Sequence, residues 1–179
     1  MKETIKKAVI IVLVFTVLCG IIYPLFMTAI AQLFFSETAN GSILVSDGKK
    51  IGSEKIGQAF QKEKYFWGRP SASQYQYSAA TNKGVKNESL LQQRQQLTQA
   101  LQNTTGQEQV PIDLITFSAS GLDPEISQEA ALYQVERIAT VRNLPKEKIE
   151  SLIQDNLSSI GPKRVNVLKL NLALDQLQS

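Results

Sequence analysis

The chain contains no histidine and one cysteine among its 179 residues, and these two absences remove most familiar chemistry. Without histidine there is no Ser-His-Asp hydrolysis, and the commonest general base and metal ligand near neutral pH is missing. Cys19 sits inside an apolar stretch, so the rest of the chain offers no thiol, disulfide or thiolate metal site. No G-x-x-x-x-G-K-[ST] loop is present to cradle phosphates. Ser118, Ser120 and Asp123 are close in sequence, but a serine nucleophile needs a base, and no spacing points Lys163 or Lys169 at them. Catalysis by this chain alone is not expected. The net charge is +3, and +2 of it lies before residue 37. The remainder has no basic stripe, so nucleic acid is not an expected partner. Four Asn-x-Ser/Thr sequences, at Asn40, Asn87, Asn103 and Asn156, matter only in a eukaryotic secretory pathway.

Charge is missing altogether from Ala8 to Phe35. As α-helix these residues span roughly 42 Å, more than the ~30 Å hydrocarbon core of a bilayer. A cleaved signal peptide has an apolar region only about half as long. Thr28-Ala29-Ile30-Ala31 resembles a cleavage pattern, yet Leu33, Phe34 and Phe35 continue the apolar run beyond it. A retained anchor is the expectation. Lys2, Lys6 and Lys7 precede it, whereas the first basic residue beyond it is Lys49. By the bias of lysine and arginine toward the cytoplasm, residues 1–7 are expected inside, 8–35 across the membrane, and 37–179 outside. Pro24 lacks an N–H and presses on the carbonyl of Gly20, which predicts a kink there. A lone anchor with an incidental proline and a helix shaped to meet a partner both remain open.

The roughly 140 residues beyond the anchor are enough for one domain with its own core. A hairpin is predicted over Ile43–Gly52, turning at Asp47-Gly48-Lys49. Glu54–Phe60 is ambiguous. Tyr65-Phe66-Trp67 before Gly68-Arg69-Pro70 reads as core rather than as an exposed aromatic surface. Ser71–Asn87 reads as an irregular polar loop. Asn87 is a cap for a helix over Glu88–Asn103, with Leu90, Leu91, Leu97 and Leu101 as its apolar stripe. Thr104–Gln109 is a loop, Val110–Phe117 a predicted strand, and Ser118–Asp123 a turn of small residues. Asp123-Pro124 is expected to open a helix to about Asn143 along Ala131, Val135, Ile138 and Ala139, with Arg137 and Arg142 falling away from that face. Pro145 opens another through Ile149, Leu152 and Ile153. Its acids, Glu147, Glu150 and Asp155, argue against a DNA-recognition helix. Gly161-Pro162 is a turn, Val165–Val167 a short strand, and Leu168–Gln178 a last helical segment. The expected class is α+β: a single N-terminal transmembrane helix followed by one mixed α/β extracytoplasmic domain.

A series of short stretches in fixed order carries a resemblance. They are Gly20 and Tyr23-Pro24-Leu25, Ala39-Asn40-Gly41-Ser42, Gly52-Ser53, Ile56-Gly57-Gln58 with Phe60, and Tyr65-Phe66-x-Gly68-Arg69-Pro70-Ser71-Ala72. Ser118-Ala119-Ser120-Gly121-Leu122-Asp123 with Ile126-Ser127 follows, then Gln134-Val135-x-Arg137-Ile138-Ala139, Val165-Asn166-Val167 and Leu170-Asn171-x-Ala173-Leu174-Asp175. The chain resembles the C subunit of the Kdp-type potassium-transporting ATPase of bacteria and archaea. The resemblance implies a non-catalytic accessory subunit of a potassium uptake pump in the cell membrane. Its implied partners are a channel-like potassium-binding subunit, a P-type ATPase catalytic subunit and membrane lipid. The family is described as assembling the complex and as a catalytic chaperone that raises ATP affinity. ATP and potassium are then used by the complex, and no cofactor is assigned to this chain. An Asp-Lys-Thr-Gly phosphorylation motif is absent here. The implied subunit-binding candidates are Gly20, Tyr23, Pro24, Tyr65, Phe66, Gly68, Arg69, Pro70, Ser120, Gly121 and Asp123. One departure stands out: where the family has Ser-Gly-Gly-Ser-Asn-Leu, this chain has Ser78-Ala79-Ala80-Thr81-Asn82-Lys83. Two alanines replace glycines, which weakens any ATP-binding role for that stretch. A single-span sensor or structural protein is the alternative reading.

Overall fold

A computed structural model describes residues 1–46 and 48–177. Asp47 of the expected hairpin turn, Gln178 at the end of the expected last helix, and Ser179 lie outside the described residues. The chain divides into two compact units, Met1–Ile51 and Gly52–Ser179.

The first unit is dominated by one continuous helix, Lys2–Phe34, long and apolar enough to cross a membrane, with none of its apolar window buried. It comprises α1 (Lys2–Val17), a π-helical turn (Leu18–Ile22) and α2 (Tyr23–Phe34). The wide turn falls where a disturbance is expected. Pro24 has no N–H to offer, so the bond from position 24 back to the Gly20 carbonyl cannot form within the continuous helix. The Tyr23 N–H reaches back five residues to the Leu18 carbonyl instead of four. One further turn, α3 (Ser36–Ala39), leads to β1 (Ile43–Ser46), which pairs with β2 (Lys49–Ser53) as expected.

In the second unit helices surround a two-stranded antiparallel ribbon of β3 (Glu125–Ser127) and β4 (Arg164–Asn166). Ile126 faces Val165 at its centre, and both are buried. The helices are α4 (Glu88–Thr105), α5 (Ile112–Ile115), α6 (Gln128–Leu132), α7 (Val135–Arg142), α8 (Lys146–Asp155) and α9 (Val167–Gln176). Phe66, Ile126, Ile138, Ile149, Ile153, Leu170 and Leu174 form the driest part of the core.

Several boundaries follow from local chemistry. The Asn87 side chain accepts the Leu90 N–H and starts α4, and Gly106 ends it at φ +71, two residues later than expected. Of the four leucines in its stripe only Leu101 is buried. The predicted strand over Val110–Phe117 is wrong. Pro111 caps a single helical turn there, and Asp113 accepts the Ser127 N–H at 2.8 Å, tying α5 to the ribbon instead of to a neighbouring strand. The predicted long helix from Asp123 is also wrong in its first part. Asp123 Oδ1 accepts the Glu125 N–H at 3.0 Å, the chain stays extended through β3, and the helix waits for Ser127, which accepts the Ala130 N–H. It breaks again at Tyr133–Gln134 before α7, and Asn143 closes α7 in the left-handed region. Helix α8 starts at Pro145, and its Ile149 and Ile153 are fully buried.

Candidate functional site

The aromatic stretch before Gly68-Arg69-Pro70 pairs with no strand among the described residues. Side chains supply its hydrogen bonds. The Phe66 N–H donates to Asn171 Oδ1 at 2.8 Å, and its carbonyl accepts from Asn171 Nδ2 at 3.0 Å. Gln134 does the same one residue on, accepting the Trp67 N–H at 2.8 Å and donating to its carbonyl at 3.1 Å. Arg137 donates to the Glu63 and Tyr65 carbonyls and stacks its guanidinium 3.8 Å from the centre of the Trp67 ring. Arg142 Nε donates to the Lys64 carbonyl at 2.7 Å, and its NH2 group pairs with Asp175 at 2.6 Å. The Tyr65 hydroxyl closes the group by donating to the other Asp175 oxygen at 2.9 Å. The chain turns at Lys62–Tyr65, where the Tyr65 N–H donates to the Lys62 carbonyl at 3.1 Å, and the main chain of residues 63–67 is otherwise held by side chains from Gln134, α7 and α9.

Arg137 and Arg142 were expected to point away from the apolar face, yet they are only 5% and 6% exposed. A buried guanidinium is tolerated here because backbone carbonyls and an aromatic face replace its water. Burial pushes Arg137 down to about 10. Sequence reasoning missed Gln134, Arg137, Arg142 and Asn171 as the residues that hold this segment. One signal was available: Gln134 and Asn171 sit at core spacing with Ile138 and with Val167 and Leu174, where a polar side chain must find a partner.

Beyond Trp67 the chain meets the small-residue turn. Arg69 NH1 pairs with Asp123 at 3.0 Å, and its NH2 group donates to the Thr116 carbonyl at 3.3 Å. The Pro70 carbonyl accepts the Ser118 N–H. Tyr75 donates its hydroxyl to the Arg69 carbonyl, and a Cβ on Gly68 would stand 3.2 Å from that hydroxyl. Burial, and then the charge of Asp123, pushes the Tyr75 phenol up to about 12. On the other side the Ser120 carbonyl accepts from the Ala79 N–H at 3.0 Å and from the Ser78 hydroxyl at 3.0 Å. Gly121, at φ +69, leaves room for this approach, since a Cβ there would lie 2.4 Å from the Ala79 carbonyl oxygen. Ala79 and Ala80 themselves avoid the left-handed region, which falls instead to Asn82 at φ 51. Ala79 and Ala80 therefore carry no left-handed backbone strain.

The structure therefore brings Gly68, Arg69 and Pro70 together with Ser120, Gly121 and Asp123. Tyr65 and Phe66 belong to the adjoining clamp, and Phe66, fully buried, shapes that surface from beneath. An open cleft of about 660 Å³ runs beside them, between Trp67, Arg69, Tyr75 and Phe117 and the Leu97–Leu101 side of α4. Gly20, Tyr23 and Pro24 lie apart in sequence, on the apolar helix. A Cβ on Gly20 would meet nothing within 4 Å, and Tyr23 is exposed. The acids and guanidiniums of the cluster are committed to each other and to backbone, an arrangement suited to holding a surface rigid.

The family model described as "K+-transporting ATPase, c chain" matches residues 5–176. The chain belongs to the KdpC family. Relatives bearing the name "Potassium-transporting ATPase KdpC subunit" agree over nearly their whole lengths. The KdpC subunit of Burkholderia ambifaria is 46% identical, covering 100% of this chain and 99% of its own. That of Methylococcus capsulatus is 45% identical and that of Clostridium perfringens 44%, each over 97% of both chains. The resemblance seen in the sequence is thereby met.

Proposed function

We propose that this chain is the non-catalytic accessory subunit of an ATP-driven potassium uptake pump, anchored by residues 8–35 with residues 1–7 in the cytoplasm and residues 37–179 outside. The observation that carries the reading is the family match over residues 5–176. The lysine flank and the exposed apolar helix support the orientation and the anchor. The helix docks on the channel-like subunit through Gly20, Tyr23 and Pro24. The rigid surface around Tyr65, Gly68-Arg69-Pro70 and Ser120-Gly121-Asp123, shaped by Phe66, contacts the assembly at its ion entrance. The chain assembles and stabilises the channel-like and P-type subunits. ATP is cytoplasmic, so a domain on the outer side raises ATP affinity only through coupling between sites across the complex.

Co-purification tests this. The chain, tagged at its C-terminus, is extracted in mild detergent from its source organism grown under potassium limitation. Recovery of a channel-like protein and a P-type ATPase, with potassium-stimulated ATP hydrolysis, is the expected result. Recovery of the chain alone, stable and folded, overturns it.

A further inference from the structure

The wide turn in the apolar helix leaves a main-chain acceptor without its donor. In an α-helix the Cys19 carbonyl takes the N–H four residues on, that of Tyr23, but Tyr23 donates to the Leu18 carbonyl. The next N–H along belongs to position 24, and Pro24 has none. The Cys19 carbonyl has therefore lost both its α and its π partner. The Gly20 carbonyl has lost its α partner for the same reason. Both residues lie within about three positions of the midpoint of the uncharged run Ala8–Phe35, or about 4 Å along the axis. In a membrane this is the deepest and driest level. Acyl chains carry no donor, and an unpaired carbonyl there is costly. The nearby hydroxyl is already committed, since Thr16 Oγ1 donates to the Val12 carbonyl at 2.8 Å. Gly20 leaves the space next to the turn empty, with nothing within 4 Å of where a Cβ would stand.

We propose that this turn is a hydrogen-bonding contact: a transmembrane helix of a partner subunit crosses at Gly20 and presents a hydroxyl, amide or indole N–H side chain to the Cys19 carbonyl. The inference rests on the subunit reading above and names the chemistry of the partner at that point. An acceptor without a donor selects a donor-bearing helix, and a purely aliphatic one leaves the carbonyl unpaired. Gly20 serves close approach, while the bond itself goes to the backbone.

The lone cysteine makes the contact directly observable, because cysteine labelled with ¹³C at its carbonyl marks only Cys19 in this chain, and its signal in the complex is the one that Cys19→Ser removes. The full-length chain is compared alone and in its co-purified complex, in the same detergent, by carbonyl ¹³C resonance. A downfield move on assembly is expected, as a hydrogen bond forms. Gly20→Leu is expected to lower partner recovery about three- to ten-fold, by blocking the approach. Pro24→Ala restores a donor within the helix, so the isolated chain is expected to show the bonded position already. An unmoved resonance in an intact wild-type complex, or undiminished recovery with Gly20→Leu, overturns the contact while leaving the subunit reading standing. Failure of the wild-type chain to recover any partner overturns both, and a downfield move that accompanies self-association alone assigns the donor to a second copy and overturns the partner helix.

Discussion

Single side chains decide more of this domain than their number suggests. Asn171 is 1% exposed and carries both main-chain bonds of Phe66. Asn171→Leu preserves size but strands a buried N–H and a buried carbonyl, at about 1–3 kcal/mol each. A loss of about 2–6 kcal/mol is expected in urea unfolding followed by the fluorescence of Trp67, the only tryptophan. Tyr75 makes a pH prediction. Its folded-state value is about 12, above the ordinary value of 10. The folded chain thus holds a proton that the unfolded chain has released between those values. The corresponding stability is fully present below about pH 10 and is lost as pH rises toward 12. Tyr75→Phe should flatten that alkaline decline, as read from unfolding midpoints at pH 9 and 11. The burial of Phe66 was legible from its apolar neighbours. The burial of Arg137 and Arg142 was not, because helical periodicity treats arginine as solvent-facing, and the carbonyls of Glu63, Lys64 and Tyr65 that accept from them lie more than seventy residues earlier.

Among the elements, those fixed by neighbouring residues were readable and those fixed by distant ones were not. Asn87 announces α4, Pro145 announces α8, and the Asp47-Gly48 pair between two apolar stretches announces the hairpin. Asn87→Ala should weaken the start of α4 by about 1 kcal/mol, seen as faster amide exchange at Leu90 and Leu91 while the ribbon is unaffected. Glu125-Ile126-Ser127 reads as helix locally but becomes a strand because Arg164-Val165-Asn166 lies across from it. Val110–Phe117 has strand-like composition, yet it pairs with no strand among the described residues. Pro111 and the Asp113 bond to Ser127 turn it into one helical coil.

At the scale of the molecule, the apolar helix was evident from the absence of charge over Ala8–Phe35, and the mixed class of the residues beyond it from their turn, cap and apolar-spacing signals. The proposed orientation is tested with a single engineered thiol. In a Cys19→Ser background, Val85→Cys places a thiol on a residue 84% exposed. A membrane-impermeant maleimide should label it in intact cells, whereas a thiol placed at Lys2→Cys should label only after lysis. The reverse pattern would put the domain on the ATP side and reopen direct nucleotide contact.

The clamp around residues 63–67 also sets an order of events during synthesis. Phe66 and Asn171 are 105 residues apart, so one leaves the ribosome well before the other exists. At about 5–20 residues per second that interval is on the order of 5–20 s. Through it the Tyr65-Phe66-Trp67 stretch has no α9 to hold it and stands open to proteases and chaperones. The C-terminal helix is therefore the latch of the domain, and a nascent chain that stalls before Asn171 should be degraded even though most of its sequence has been made.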